Sequence, residues 1–148
     1  MRKVGIGIVI FVAISMLFVQ AALAQRSQAA GSGISTGAWS LGVPESGIDQ
    51  DSIETGAIVV ESGKVVLIEK MPGMEDGLQM RFKTDQGNAY TVYMGPDWFI
   101  NNQKIKFMAG DSVVVRGKKI GFSIIATEIS KDDWTMKLRD EEDGRPQW

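Results

Sequence analysis

The sequence predicts an all-β fold: a small antiparallel barrel of five or six strands, of the OB or SH3-like sort, following an N-terminal apolar export segment. Three observations predict it. From Gly56 onward, β-branched and aromatic residues recur at short spacing between clusters of Gly, Pro, Asn and Asp, the texture of consecutive short strands. No stretch sustains a long helical period. Five or six antiparallel strands in about 90 residues favour closure, because a closed barrel leaves no unpaired edge.

Arg2 and Lys3 precede an apolar run from Val4 to Val19, and Ala21-Ala22-Leu23-Ala24 ends in the small-x-small pattern that a signal peptidase accepts. Residues 1–24 therefore read as a signal peptide cleaved after Ala24, or as a retained anchor, since the 21 residues from Val4 to Ala24 are enough to span a bilayer. In both cases the basic flank stays inside and the remainder faces the non-cytoplasmic side. Residues 25–55 are rich in Ser, Gly and Ala and carry no period of 2 or 3.6, which predicts a flexible linker. Within it, Trp39 to Val43 also reads as an extra edge strand or a partner-binding peptide.

Residues 56–148 hold the barrel. A first strand over Ala57 to Lys70 is expected to bend or bulge near Ser62-Gly63, where two apolar runs meet. Pro72-Gly73 turns the chain. Leu78, Met80 and Phe82 alternate with Gln79, Arg81 and Lys83, giving a strand with one wet face. Asp85 to Asn88 closes a hairpin onto Ala89 to Met94, with Tyr90, Val92 and Met94 on one side and Thr91 and Tyr93 on the other. Asp97 to Phe107 reads as an irregular crossing whose Trp98, Phe99, Ile100, Ile105 and Phe107 are too apolar to be idle surface and so cap one end of the core. Strands over Ser112 to Lys118, Gly121 to Ser130 and Trp134 to Leu138 complete the set.

Composition narrows the chemistry. The chain has 148 residues, 44% apolar and 23% charged, room for one domain with appendages. It contains no Cys and no His, so disulfides, thiolate metal sites, iron–sulfur clusters, c-type haem and the commonest general base are all excluded. No cofactor is expected, and enzyme activity is not. The formal charge is -2, which argues against nucleic acid as a partner.

Two groups of candidate ligands remain, with one candidate surface. Asp140, Glu141, Glu142 and Asp143 are consecutive, and clustered carboxylates bind hard cations such as iron weakly; the plainer reading is a solvated acidic turn. Met71 and Met74 offer thioethers to a soft metal, or are two methionines of a turn. Tyr90, Tyr93, Trp98 and Phe99 form an aromatic group; the groove near Tyr93, Trp98 and Phe99 is the candidate ligand or partner surface of such a barrel, with core packing as the alternative.

The phrases Tyr90-Thr-Val-Tyr-Met-Gly-Pro-Asp-Trp98, Ala109-Gly-Asp-Ser-Val-Val-Val-Arg-Gly117, Ile125-Ala-Thr-Glu-Ile129, Leu138-Arg-Asp and Gly144-Arg-Pro-Gln-Trp148 occur in this order. Together they resemble the domain shared by magnetosome MamS and MamX proteins, over roughly residues 56 to 148. The resemblance implies an exported accessory protein of the periplasm or of the magnetosome membrane or lumen, one that supports magnetite crystal growth and maturation. It implies other exported or membrane proteins as partners, with weak iron contact besides, and membrane attachment through the N-terminal segment where that is uncleaved. MamX-type proteins also carry haem-binding CxxCH motifs, which a chain without Cys or His lacks, so the haem-free, MamS-like form is the one it resembles. A general periplasmic OB-like binding module and a periplasmic metal-handling protein are the competing readings.

Overall fold

The computed structural model describes residues 42–43 and 50–148. The export segment and most of residues 25–55 lie outside the described residues, as do positions 39–41 of the expected edge strand. No described helix is long and apolar enough to cross a membrane.

Six strands form one sheet: β1 (Ala57–Lys70), β2 (Gly77–Thr84), β3 (Ala89–Pro96), β4 (Ser112–Ile120), β5 (Ser123–Lys131) and β6 (Trp134–Lys137). A short helix α1 (Gln50–Thr55) precedes them and another, α2 (Asp97–Asn102), links β3 to β4. The strand order is β3-β2-β1-β4-β5-β6, and β3 also pairs with β5 in parallel, Thr91 to Tyr93 against Ser123 to Ile125. That parallel seam closes five strands into an OB-like barrel and leaves β6 as an extra strand on β5.

The bend expected in β1 is what makes closure work. The first half of β1 pairs with β4 from Ala57↔Lys119 to Lys64↔Ser112, and its second half pairs with β2 from Gly63↔Thr84 to Lys70↔Leu78. Gly63 sits where both neighbours are bonded at once. A Cβ there would lie 2.2 Å from the Lys83 carbonyl oxygen, so only glycine lets the two sheet halves approach. A bulge between Val65 and Leu67 follows it.

Alternation fills the interior as the pattern predicts. Val65, Met80, Phe82, Tyr90, Val92 and Met94 point inward from β1 to β3, and Val113, Val115, Ile124, Ile129 and Met136 from β4 to β6. The crossing after β3 differs from the irregular segment expected. Its first six residues are helical, a length too short for a 3.6-residue period to register. Ile100 is buried, with Phe99, Ile105 and Phe107 packed against the core, so the crossing does cap the barrel. Trp98 does not take part, being 57% exposed.

A second apolar cluster of Val43, Ile53, Met71, Tyr93 and Ile125 lies on the other side of the seam. Tyr93 and Ile125 are the last paired residues of the parallel ladder. Val43 and Ile53 therefore seal the outside of the closing seam, and where the expected linker is described it is packed against the barrel. Gly42 and Val43 form a turn there, without a strand.

One ion pair pins the long loop before β4. Asp111 accepts hydrogen bonds from the Met108 amide at 2.7 Å and from Lys131 Nζ at 2.6 Å. Lys131 and that amide hold its carboxyl below the ordinary value of 3.8. The unfolded chain therefore takes up the proton first as pH falls, and this contribution, full at neutral pH, is lost through and below that ordinary value. Thermal melts across the acid range should show a shallower loss for Asp111→Asn than for the parent. Identical acid limbs would remove this pair from the account.

Candidate functional site

The outer face of β1, β2 and β3 is built by register. Where Val65↔Phe82 and Ile68↔Met80 face the core, the outward pairs are Lys64↔Lys83, Leu67↔Arg81 and Glu69↔Gln79. On β3 they continue as Lys83↔Ala89, Arg81↔Thr91 and Gln79↔Tyr93. In barrels of this type the strand 2–3 face, flanked by the β1–β2 and β4–β5 loops, is the usual binding surface. Here Gly121 and Phe122 form the β4–β5 link, and the Thr91 amide donates to the Phe122 carbonyl at 2.9 Å. Phe122, 83% exposed, stands in the turn beside Ser123, the register partner of Thr91.

A carboxylate organises the middle of this face. Glu69 accepts from Arg81 Nε at 2.8 Å and from Gln79 Nε2 at 2.9 Å, and Arg81 also donates to Thr91 Oγ1 at 3.0 Å. The Arg81 and Gln79 hydrogen bonds hold the Glu69 carboxyl below its usual value. Gln79 is buried while Arg81 stays exposed, so the row is anchored from below and presents the guanidinium to solvent. Val66 and Leu67 are 54% and 46% exposed beside it.

The structure separates the aromatic residues that the sequence groups. Tyr93 is buried in the second cluster under Val43 and Ile53, and Tyr90 is buried in the barrel, its hydroxyl accepting from Lys119 Nζ at 2.7 Å. Phe99 packs on the core and touches Trp98 edge-on and Trp148 at 5.6 Å. Of the three residues expected to form one surface, only Trp98 is open to solvent. Alternation alone places Tyr93 outward, and what covers it comes from before the barrel, which strand periodicity does not reveal.

The acidic run is not gathered into one ligand set. Glu141 is held by Arg116 through two hydrogen bonds of 2.6 and 2.7 Å, which lower the Glu141 carboxyl and raise the guanidinium. Asp143 pairs with Arg145 at 2.7 Å, and Asp140 accepts the backbone amides of Glu142 and Asp143. Asp140, Glu141 and Glu142 border a polar cleft of about 380 Å3 together with Glu128 and Lys137. Among the described residues no three carboxylates are placed to hold a metal ion. Met71 is buried and Met74 half-buried, both in the apolar cluster beside the seam, where thioethers fill space.

A residue that sequence reading passes over is Arg139. Its side chain is 3% exposed. Nη1 donates to the carbonyls of Ala126 at 2.7 Å and Met94 at 3.0 Å, on β5 and β3 just beyond the last residues of their parallel ladder. The guanidinium continues the seam as a side-chain stitch where backbone pairing stops. Burial pushes it down to about 9. The Trp148 ring covers it at 4.8 Å, and that ring reaches its place only because Gly95 has no Cβ, which would lie 2.7 Å away.

A structure search finds similarity to the crystal structure of a small single-stranded DNA-binding protein from Streptomyces coelicolor, with 20% identity, a TM-score of 0.41, and coverage of 53% of this chain and 94% of that one. No curated protein matches. The sequence profile of the MamS/MamX magnetosome protein family matches residues 58–136, from the second residue of β1 into β6. The matched stretch is the barrel wall itself, including its outward β1–β2–β3 face, and the chain belongs to the MamS/MamX magnetosome protein family.

Proposed function

We propose that this chain is a non-catalytic, exported accessory protein that supports the growth and maturation of magnetite crystals through contacts with other proteins of the magnetosome. The observation that carries the reading is the family match, which falls on the barrel and makes that domain the part shared with magnetosome proteins. The N-terminal segment supports a location outside the cytoplasm, with residues 1–24 serving as leader or anchor. The exposed chemistry favours docking over turnover. The β1–β2–β3 face offers aliphatic and cationic groups, and Glu69, its one carboxylate among the described residues, is already engaged by Arg81 and Gln79. With no His or Cys anywhere in the chain, the commonest general base and the thiol nucleophile are both missing.

Deletion of the gene in its native host, followed by electron microscopy of cells grown with iron, tests the reading. Smaller or misshapen crystals, restored by complementation, are expected. A normal crystal size distribution would overturn it.

A further inference from the structure

The outward face of β1–β3 contains an arrangement that costs the fold something. Lys64 and Lys83 stand directly opposite each other across β1 and β2. Both are exposed, and neither forms an ion pair among the described residues. Like charges directly across an antiparallel pair destabilise it. In the next outward row the register runs from Leu67 to Arg81 to Thr91 and on to Ser123, with Phe122 in the turn just before it. Three steps of about 4.8 Å make that row roughly 14 Å wide. Leu67, 46% exposed, makes one end apolar, the turn residue Phe122, 83% exposed, stands next to the other, and the centre is a guanidinium.

The geometry points to this face as a docking site for an extended, acidic polypeptide segment of a partner protein. Carboxylates of the segment meet Lys64, Lys83 and Arg81, and its apolar side chains meet Leu67 with Val66 at one end and Phe122 at the other. Charge complementarity selects the occupant. An anionic segment relieves the repulsion between two lysines that no ion pair among the described residues offsets. A single-stranded nucleic acid is the less favoured occupant, because Phe122 is the one exposed aromatic ring beside the face among the described residues, while such ligands are held by several stacking rings in a basic groove. The inference rests on the reading of the barrel as a protein-docking module and names the chemistry of its partner.

The test uses the full-length chain in a zwitterionic detergent and a fluorescein-labelled peptide of alternating glutamate and leucine. A length of about six residues crosses the face at ~3.3 Å per residue. Fluorescence anisotropy should show saturable binding that weakens as salt is raised. Lys83→Glu should weaken it by about tenfold while raising the melting temperature by a few degrees, since a like-charge pair becomes an opposite one. Phe122→Ala should weaken binding with no change in melting temperature. A site retained only for stability would not show affinity and stability moving in opposite directions. Absence of saturable binding, or unchanged affinity in Lys83→Glu, would overturn the proposal. So would displacement of the peptide by oligothymidylate of equal length, which would make nucleic acid the occupant. Normal crystals in the deletion strain together with salt-sensitive peptide binding would remove the magnetosome role and leave the docking face standing.

Discussion

Arg139→Ala is expected to destabilise the barrel by about 3–5 kcal/mol, read as a lower urea midpoint for the full-length chain. The Met94 and Ala126 carbonyls would each lose a charge-assisted donor. An unsatisfied buried acceptor costs about 1–3 kcal/mol, and truncation adds a cavity and removes the platform under Trp148. That loss is a large part of the ~5–15 kcal/mol that holds a domain of this size together. Arg139→Met separates the contributions, because methionine restores volume and supplies no donor. It should recover the cavity term alone and stay about 2 kcal/mol below the parent. A methionine variant as stable as the parent would mean that burying the charge costs as much as its hydrogen bonds return.

Gly63→Ala is the second large effect, expected at about 3 kcal/mol. A methyl group 2.2 Å from the Lys83 carbonyl and 2.6 Å from the Thr84 Cα meets backbone on the neighbouring strand. No rotamer of a flexible side chain can relieve that contact. The β1–β2 ladder must open where β1 passes from one partner to the other, and overpacking of this kind typically costs 1–3 kcal/mol before any hydrogen bond is lost. Lower protection of the Val65 and Asp85 amides in hydrogen exchange would place the damage at the crossover. These amides bond Asp111 and Ser62 there. A Gly63→Ala chain with the parent's midpoint would show that the two sheet halves have slack that the close approach hides.

Much of this barrel is written in short-range signals. Leu78, Met80 and Phe82 alternate cleanly, Asp85 to Asn88 marks a hairpin, and Ser62-Gly63 marks the crossover in β1, so the strand boundaries follow within a residue or two of those observed. The site was less legible for reasons that can be named. Register across β1, β2 and β3 is a long-range property, and the facing lysines become visible only when residues 64 and 83 are known to be partners. Tyr93 looks solvent-facing until Val43 and Ile53 are found over it. Asp140 to Asp143 look like one acidic group in a linear chain, yet Arg116 comes from β4 to take Glu141 away. Arg139 reads as an ordinary charge beside an acidic tail, because nothing local announces that β3 and β5 meet around it.

Sharing β1 between two partners also orders events in time. The β1–β2 and β2–β3 pairings join neighbours along the chain and can form as soon as residues near 96 exist, whereas Ala57 waits for Lys119 and the seam waits for Ile125. Until then the growing chain is an open curl with the free edges of β1 and β3 unprotected, the state most prone to pairing with another copy. Closure by such distant contacts belongs to the slow, millisecond-to-second class of folding. The Arg139 stitch arrives last of all, as a latch on a cylinder whose other joints are already in place.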